Sequence, residues 1–75
     1  MYHNIEFISE VNGDREISPK QPLERVRLEK GARRRVQIKP YVMETGNGPM
    51  EVADLFFEDG SATRQVPFEF FRFVD

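Results

Sequence analysis

Arg33, Arg34 and Arg35 stand in a row, and Lys39 and Tyr41 follow Arg35 at alternating positions. A guanidinium keeps its charge at any physiological pH, presents a planar fork of donors to carboxylate or phosphate, and stacks on flat rings. Arg25 and Arg27 precede the run with the same two-residue spacing. On extended chain that spacing puts Arg25, Arg27, Arg35, Lys39 and Tyr41 on one face, with Arg33 and Arg34 near the turn, and these seven are the candidate residues for an anionic partner. That partner is either an acidic protein surface or a single-stranded nucleic acid, with Tyr41 as a stacking platform.

A second group carries contact rather than charge. The carboxyl-terminal stretch "VPFEFFRFVD" reads as a strand with Phe68 and Phe70 on one face and Phe71 and Phe73 on the other. Both faces of such a strand need cover. Aromatic side chains dominate interface cores, so these four phenylalanines are candidate protein-interface residues. Truncating Phe71 and Phe73 is then expected to abolish association and leave the monomer folded.

Bond-making chemistry has weaker support. The chain has no cysteine and one histidine, His3; no thiolate, disulfide or histidine-rich metal site is expected, and no serine sits in a nucleophile-elbow context. Glu58 and Asp59 precede Gly60 and read as turn residues rather than an acid/base pair. "TGNGP" lacks the lysine and hydroxyl of a phosphate-binding loop. The expectation is therefore no catalytic residue, no metal, no cofactor and no small-molecule substrate.

The elements that must position these residues belong to one small domain, residues 1–75, with nothing that reads as a linker or repeat. Seven phenylalanines and two tyrosines argue for a folded chain. No run reaches the roughly 18 apolar residues of a membrane span, and the amino terminus lacks the features of a signal peptide; a cytoplasmic, non-membrane protein is expected. The net charge of −2 conceals segregation: residues 1–14 sum to −3, residues 15–39 to +6, and residues 40–75 to −5.

Period-two alternation dominates the apolar pattern and predicts strands. In "HNIEFISEV" Ile5, Phe7 and Val11 share one parity, and "NGD" at 12–14 and "SPKQP" at 18–22 read as a turn and a connection. "LERVRLEK" and "RRVQIKPYVM" read as a hairpin about Gly31. The favoured register sets Leu28 opposite Val36, Val26 opposite Ile38 and Glu29 opposite Arg35, gathering the bases on one outer face. "ETGNGP" at 44–49 is a loop. A second hairpin about "EDG" at 58–60, with Gly60 left-handed, pairs Phe56 with Ala62, Asp54 with Arg64 and Val52 with Val66. A short helix over 49–58 competes with its first strand, because Pro49 suits a first helical turn and Glu51, Asp54 and Glu58 have helical spacing.

The fold expectation is mainly β: a small antiparallel sheet or partly open barrel of four to five strands. The functional expectation is a non-enzymatic binding or adaptor module, working through protein contact or self-association as a homodimer. Its alternative is a single-stranded nucleic-acid binder, or a small inhibitor of the kind phages direct at a host nucleic-acid machine.

Overall fold

The hairpin about Gly60 follows most directly from local sequence. A computed structural model describes residues 1–75, and in it β5 (Gly48–Phe57) and β6 (Ala62–Pro67) pair antiparallel with Phe56 opposite Ala62. Gly60 has φ +89°, a left-handed conformation that costs glycine little. Residues 49–58 are thus strand and turn rather than helix. Next to them, β4 (Arg33–Thr45) and β5 meet at a two-residue turn, Gly46–Asn47. The Thr45 hydroxyl holds that turn, donating to the Gly48 carbonyl at 2.7 Å and accepting from the Asn47 N–H at 3.1 Å.

The remaining strands are β1 (His3–Phe7), β2 (Val11–Glu16), β3 (Glu24–Leu28) and β7 (Phe71–Phe73). Every pairing is antiparallel, and the spatial order is β3-β2-β6-β5-β4-β1-β7. The chain is mainly β, as its alternation predicts, but it forms seven strands rather than four or five. They make one sheet curled into a half-barrel. No helix is long and apolar enough to cross a membrane.

Three local expectations fail for one reason, the competition of distant partners. First, β3 does not form a hairpin with β4: Leu28 faces Val11 and Val26 faces Gly13, while Val36 lies between His3 and Phe57. Residues Glu29–Ala32 are instead a link that crosses the end of the core, where Gly31 donates to the Phe7 carbonyl and Phe7 donates to the Ala32 carbonyl. Second, Asn12–Gly13–Asp14 lies inside β2 and the bend falls earlier, at Ile8 and Ser9. Pairing with β3 on one side and β6 on the other outweighs the turn preference of those residues. Third, the carboxyl-terminal segment is not one strand. It breaks into β6, a 3-10 turn over Phe68–Phe70, and β7.

That turn carries the chain from the middle of the sheet to its far edge, beside β1. The concave side it crosses holds the core, in which Ile5, Phe7, Val36 and Leu55 are fully buried. Each such side chain contributes about 1.5–3 kcal/mol of transfer free energy. Phe68 and Phe70 pack against this cluster, and Ile8 N–H donates to the Phe70 carbonyl at 2.9 Å.

A β-bulge on β6 completes the sheet. Ala53 faces Val66 and Leu55 faces Thr63, so Arg64 and Gln65 together oppose Asp54. Val52 consequently faces Pro67 rather than Val66. Gln65 takes φ +60°, the one non-glycine residue in the left-handed region.

Candidate functional site

The seven basic-run residues do not share one patch. Arg33, Arg34, Arg35, Lys39 and Tyr41 lie on β4, whereas Arg25 and Arg27 lie on β3. Between those strands stand β2, β6 and β5, four spacings of about 4.8 Å each along the sheet. The two groups would form one continuous face only if strands adjacent in sequence paired, and these do not; the curl of the sheet brings only Arg27 and Arg34 to a common slot.

Several of the bases are already engaged. Arg33 and Arg72 both hold Glu6, at 3.0 and 3.1 Å, and their hydrogen bonds keep the Glu6 carboxyl below its ordinary pKa. Arg27 pairs with Glu10 at 3.0 Å. Hydrogen bonds from Asn12 and Arg27 lower the Glu10 pKa, and the Glu10 bond raises that of Arg27. Arg35 is 4.0 Å from Glu58, and its guanidinium lies over the Tyr2 ring, 5.6 Å from the centroid. Arg25, Arg34 and Lys39 make no ion pair.

Tyr41 belongs to a polar network on the convex face. Its hydroxyl donates to Asp54 Oδ1 at 2.8 Å; Gln65 N–H reaches the same oxygen at 3.1 Å, and Arg64 reaches Oδ2 at 2.9 Å. Arg64 also binds Glu16 at 2.9 Å. The bulge explains the geometry: only with Arg64 and Gln65 both opposite Asp54 do a backbone N–H and a guanidinium converge on one carboxylate. Burial pushes the Asp54 carboxyl up, but the hydrogen bonds from Tyr41, Gln65 and Arg64 and the charge of Arg64 outweigh it and hold the pKa down. Burial first, then the Asp54 bond, raises the Tyr41 pKa. The bonds to Glu16 and Asp54 raise that of Arg64. The Asp54–Arg64 pair is visible in the sequence, whereas Tyr41 and Glu16 come from other strands.

A different arrangement occupies the concave mouth, where the half-barrel fails to close. There a slot of about 350 Å³ lies between β3 and the β4 end of the sheet. Its floor is Val26, Leu28 and Phe57, and its wall is Arg15, Arg34 and Thr63. Alternation explains the set, because Arg34 is two residues before Val36, and Thr63 stands opposite both Arg15 and Leu55, all on the concave side. Thr63 is 2% exposed, and neither its Oγ1 nor the buried Arg15 Nε has a hydrogen-bond partner. Arg15 reaches Glu24 at 2.6 Å and Asp59 at 3.9 Å. Asp59 is held by Ser61 through its hydroxyl and its N–H, which lowers the Asp59 pKa. Of the sequence candidates the slot gathers Arg27 and Arg34; Arg15 and Thr63 carry no signal in the sequence, since nothing local marks the strands that bring them together.

The four phenylalanines also divide. Phe71 is 5% exposed and part of the core, Phe68 and Phe70 pack on it, and Phe73 alone is largely exposed, at 53%. Truncating Phe71 would therefore open the core, contrary to the expectation that Phe71 and Phe73 can be removed without unfolding the monomer. Phe73 stacks edge-on with His3, 5.3 Å between centroids. His3 Nδ1 lies 3.3 Å from Asp75, whose other oxygen accepts the Asn4 N–H. The chain matches no protein-family model, no curated protein and no solved structure.

Proposed function

We propose that this chain is a non-enzymatic protein-binding module that takes an extended acidic segment of a partner onto the free edge of β3. The observation that carries the reading is that edge. β3 has a single strand neighbour, β2, so one row of its backbone donors and acceptors is available for strand addition. Main-chain pairing would supply affinity, and the flanking Arg25 and Arg27 would select acidic side chains.

Charge also distinguishes such a partner from a second copy. A symmetric antiparallel pairing of two β3 strands centred on Val26 sets Arg25 against Arg27 of the other copy. Centring it on Arg25 sets Arg25 against its own copy, and centring it on Arg27 sets Arg27 against its own copy, though it also places Arg25 opposite Glu29. Like charges directly opposed are unfavourable, which favours a different, acidic chain over a homodimer through this edge.

A short synthetic peptide alternating valine and glutamate, titrated into isotope-labelled protein, tests this. Amide shifts over Glu24–Leu28, protection of those amides from exchange, and loss of binding in Arg25→Glu/Arg27→Glu support it. A peptide that leaves Glu24–Leu28 unshifted overturns it. The nucleic-acid alternative rests on the convex face, where Tyr2 is 37% exposed beside Arg35. Single-stranded binding there would lose affinity with salt at a slope of about −0.7 per phosphate contact, with shifts over Tyr2, Arg33 and Arg35 instead of β3.

A further inference from the structure

We propose that the slot at the open mouth of the half-barrel binds a small organic monoanion, a carboxylate carried on a flat apolar body. This inference goes beyond strand addition: it uses inward side chains, those of Val26 and Leu28 included, and not the backbone edge of β3.

Size and floor come first. At about 350 Å³ the slot falls at the lower end of small-ligand sites, roughly 300–1,000 Å³. Phe57, Val26 and Leu28 offer an apolar surface against which a ring can lie.

The wall selects the head group. Thr63 Oγ1 and Arg15 Nε are buried at the slot without partners, although buried polar atoms in folded proteins are nearly always bonded. Both can donate, and a carboxylate accepts from several donors at once. Charge then limits the ligand to a single negative charge. Arg15 is met by Glu24 and Asp59, and Arg27 by Glu10. Arg34 spends one donor on the Arg33 carbonyl and is the one arginine of the slot with no carboxylate partner, so a single carboxylate can pair with it, while the three acids already balance the three arginines in sum. Asp59, also in the wall, would repel the second charge of a phosphate dianion.

The probe is 3-phenylpropionate, titrated into isotope-labelled protein and followed by backbone amide and methyl shifts. The expected result is shifts centred on Thr63, Phe57 and Arg34, with a dissociation constant of about 1 mM for so small a ligand. Arg34→Gln should weaken binding about tenfold, the loss of one charge-assisted hydrogen bond. Thr63→Val should weaken it several-fold while leaving the free protein folded, because the hydroxyl has no partner to lose. Running N-acetylglycylphenylalanine in parallel separates two sources of the carboxylate. Tighter binding points to the carboxyl terminus of a peptide, and weaker binding to a free acid. No shifts at these residues up to about 10 mM, ten times the expected constant, overturns the proposal. So do equal shifts from the uncharged 3-phenylpropanol. The β3 edge reading can fail without affecting this one: Val26 and Leu28 serve both, but strand addition is read as exchange protection of the Glu24–Leu28 amides and this probe as shifts at Thr63, Phe57 and Arg34.

Discussion

Two arginine-bearing clusters sit on opposite faces of the same sheet, and they differ in whether their hydrogen bonds are complete. On the convex face Asp54 receives Tyr41, Gln65 and Arg64, and Arg64 continues to Glu16. At the concave mouth Thr63 Oγ1 and Arg15 Nε have no partner, and Arg34 faces no acid. A satisfied buried network specifies a fold, whereas an unsatisfied one costs stability unless something else completes it. The first cluster therefore acts as an internal fastening of β4, β5, β6 and β2, and the second is left unsatisfied within the chain.

The largest expected effect would break the closed cluster. Asp54→Ala strands the Tyr41 hydroxyl, the Gln65 N–H and Arg64 together. It should cost about 3 kcal/mol, the lower end for disrupting a buried ionic network because Arg64 is half-exposed. In a domain this small such a loss lowers the thermal midpoint by about 12 °C or more, measurable by circular dichroism.

Titration separates the clusters next. Asp54 has a depressed pKa, so its contribution is present above the ordinary aspartate value of 3.8 and is lost as pH falls through the lower folded value. Tyr41 has a raised pKa, so its contribution is present below the ordinary value of 10.0 and is lost as pH rises through the higher folded one. Urea unfolding of Asp54→Asn should show a shallower acid limb than the unaltered chain. The remaining acid sensitivity then comes from Glu6, Glu10 and Asp59, whose pKa values are also lowered. An unchanged acid limb would remove Asp54 from its role as the acid-sensitive fastening.

The open cluster should respond with the opposite sign. Thr63→Val removes a buried hydroxyl that bonds to nothing in the chain, and it should stabilise the free protein by about 1 kcal/mol. A destabilised variant would mean that the hydroxyl is satisfied and the slot is closed. The smallest effect sharpens the contrast with ordinary surface charge: Arg33→Ala loses an exposed pair with Glu6 and should move the thermal midpoint by no more than about 3 °C.

The hairpin about Gly60 is legible in the sequence because its contacts lie within a dozen residues: the left-handed glycine, Phe56 against Ala62, and Asp54 against Arg64 all follow from a short loop and parity. The same reasoning joins β3 to β4, and there it fails because nearness in sequence is only one competitor for a strand edge. β1 reaches β4 across about thirty residues and takes that edge, so β3 turns back onto β2. The phenylalanine-rich end misleads in a related way. Its aromatic residues fit a strand apolar on both faces, yet a 3-10 turn puts Phe68, Phe70 and Phe71 against one core.

The order of residues alone carries the side-chain period, hence a mainly β chain whose Ile5, Phe7 and Val36 go inward. It also carries the segregated charge and the turn at Gly60. These are local properties, set by backbone sterics and the separation of apolar from polar groups along a few residues. Which strands become neighbours emerges only in the folded molecule. That choice puts three strands between the one bearing Arg25 and Arg27 and the one bearing the arginine triplet, sets Tyr41 and Glu16 around Asp54 and its partner Arg64, and leaves Thr63, Arg15 and Arg34 facing an open slot. Strand pairing sums weak contributions over long stretches of chain, so its outcome depends on all the competing edges at once and no single segment carries it.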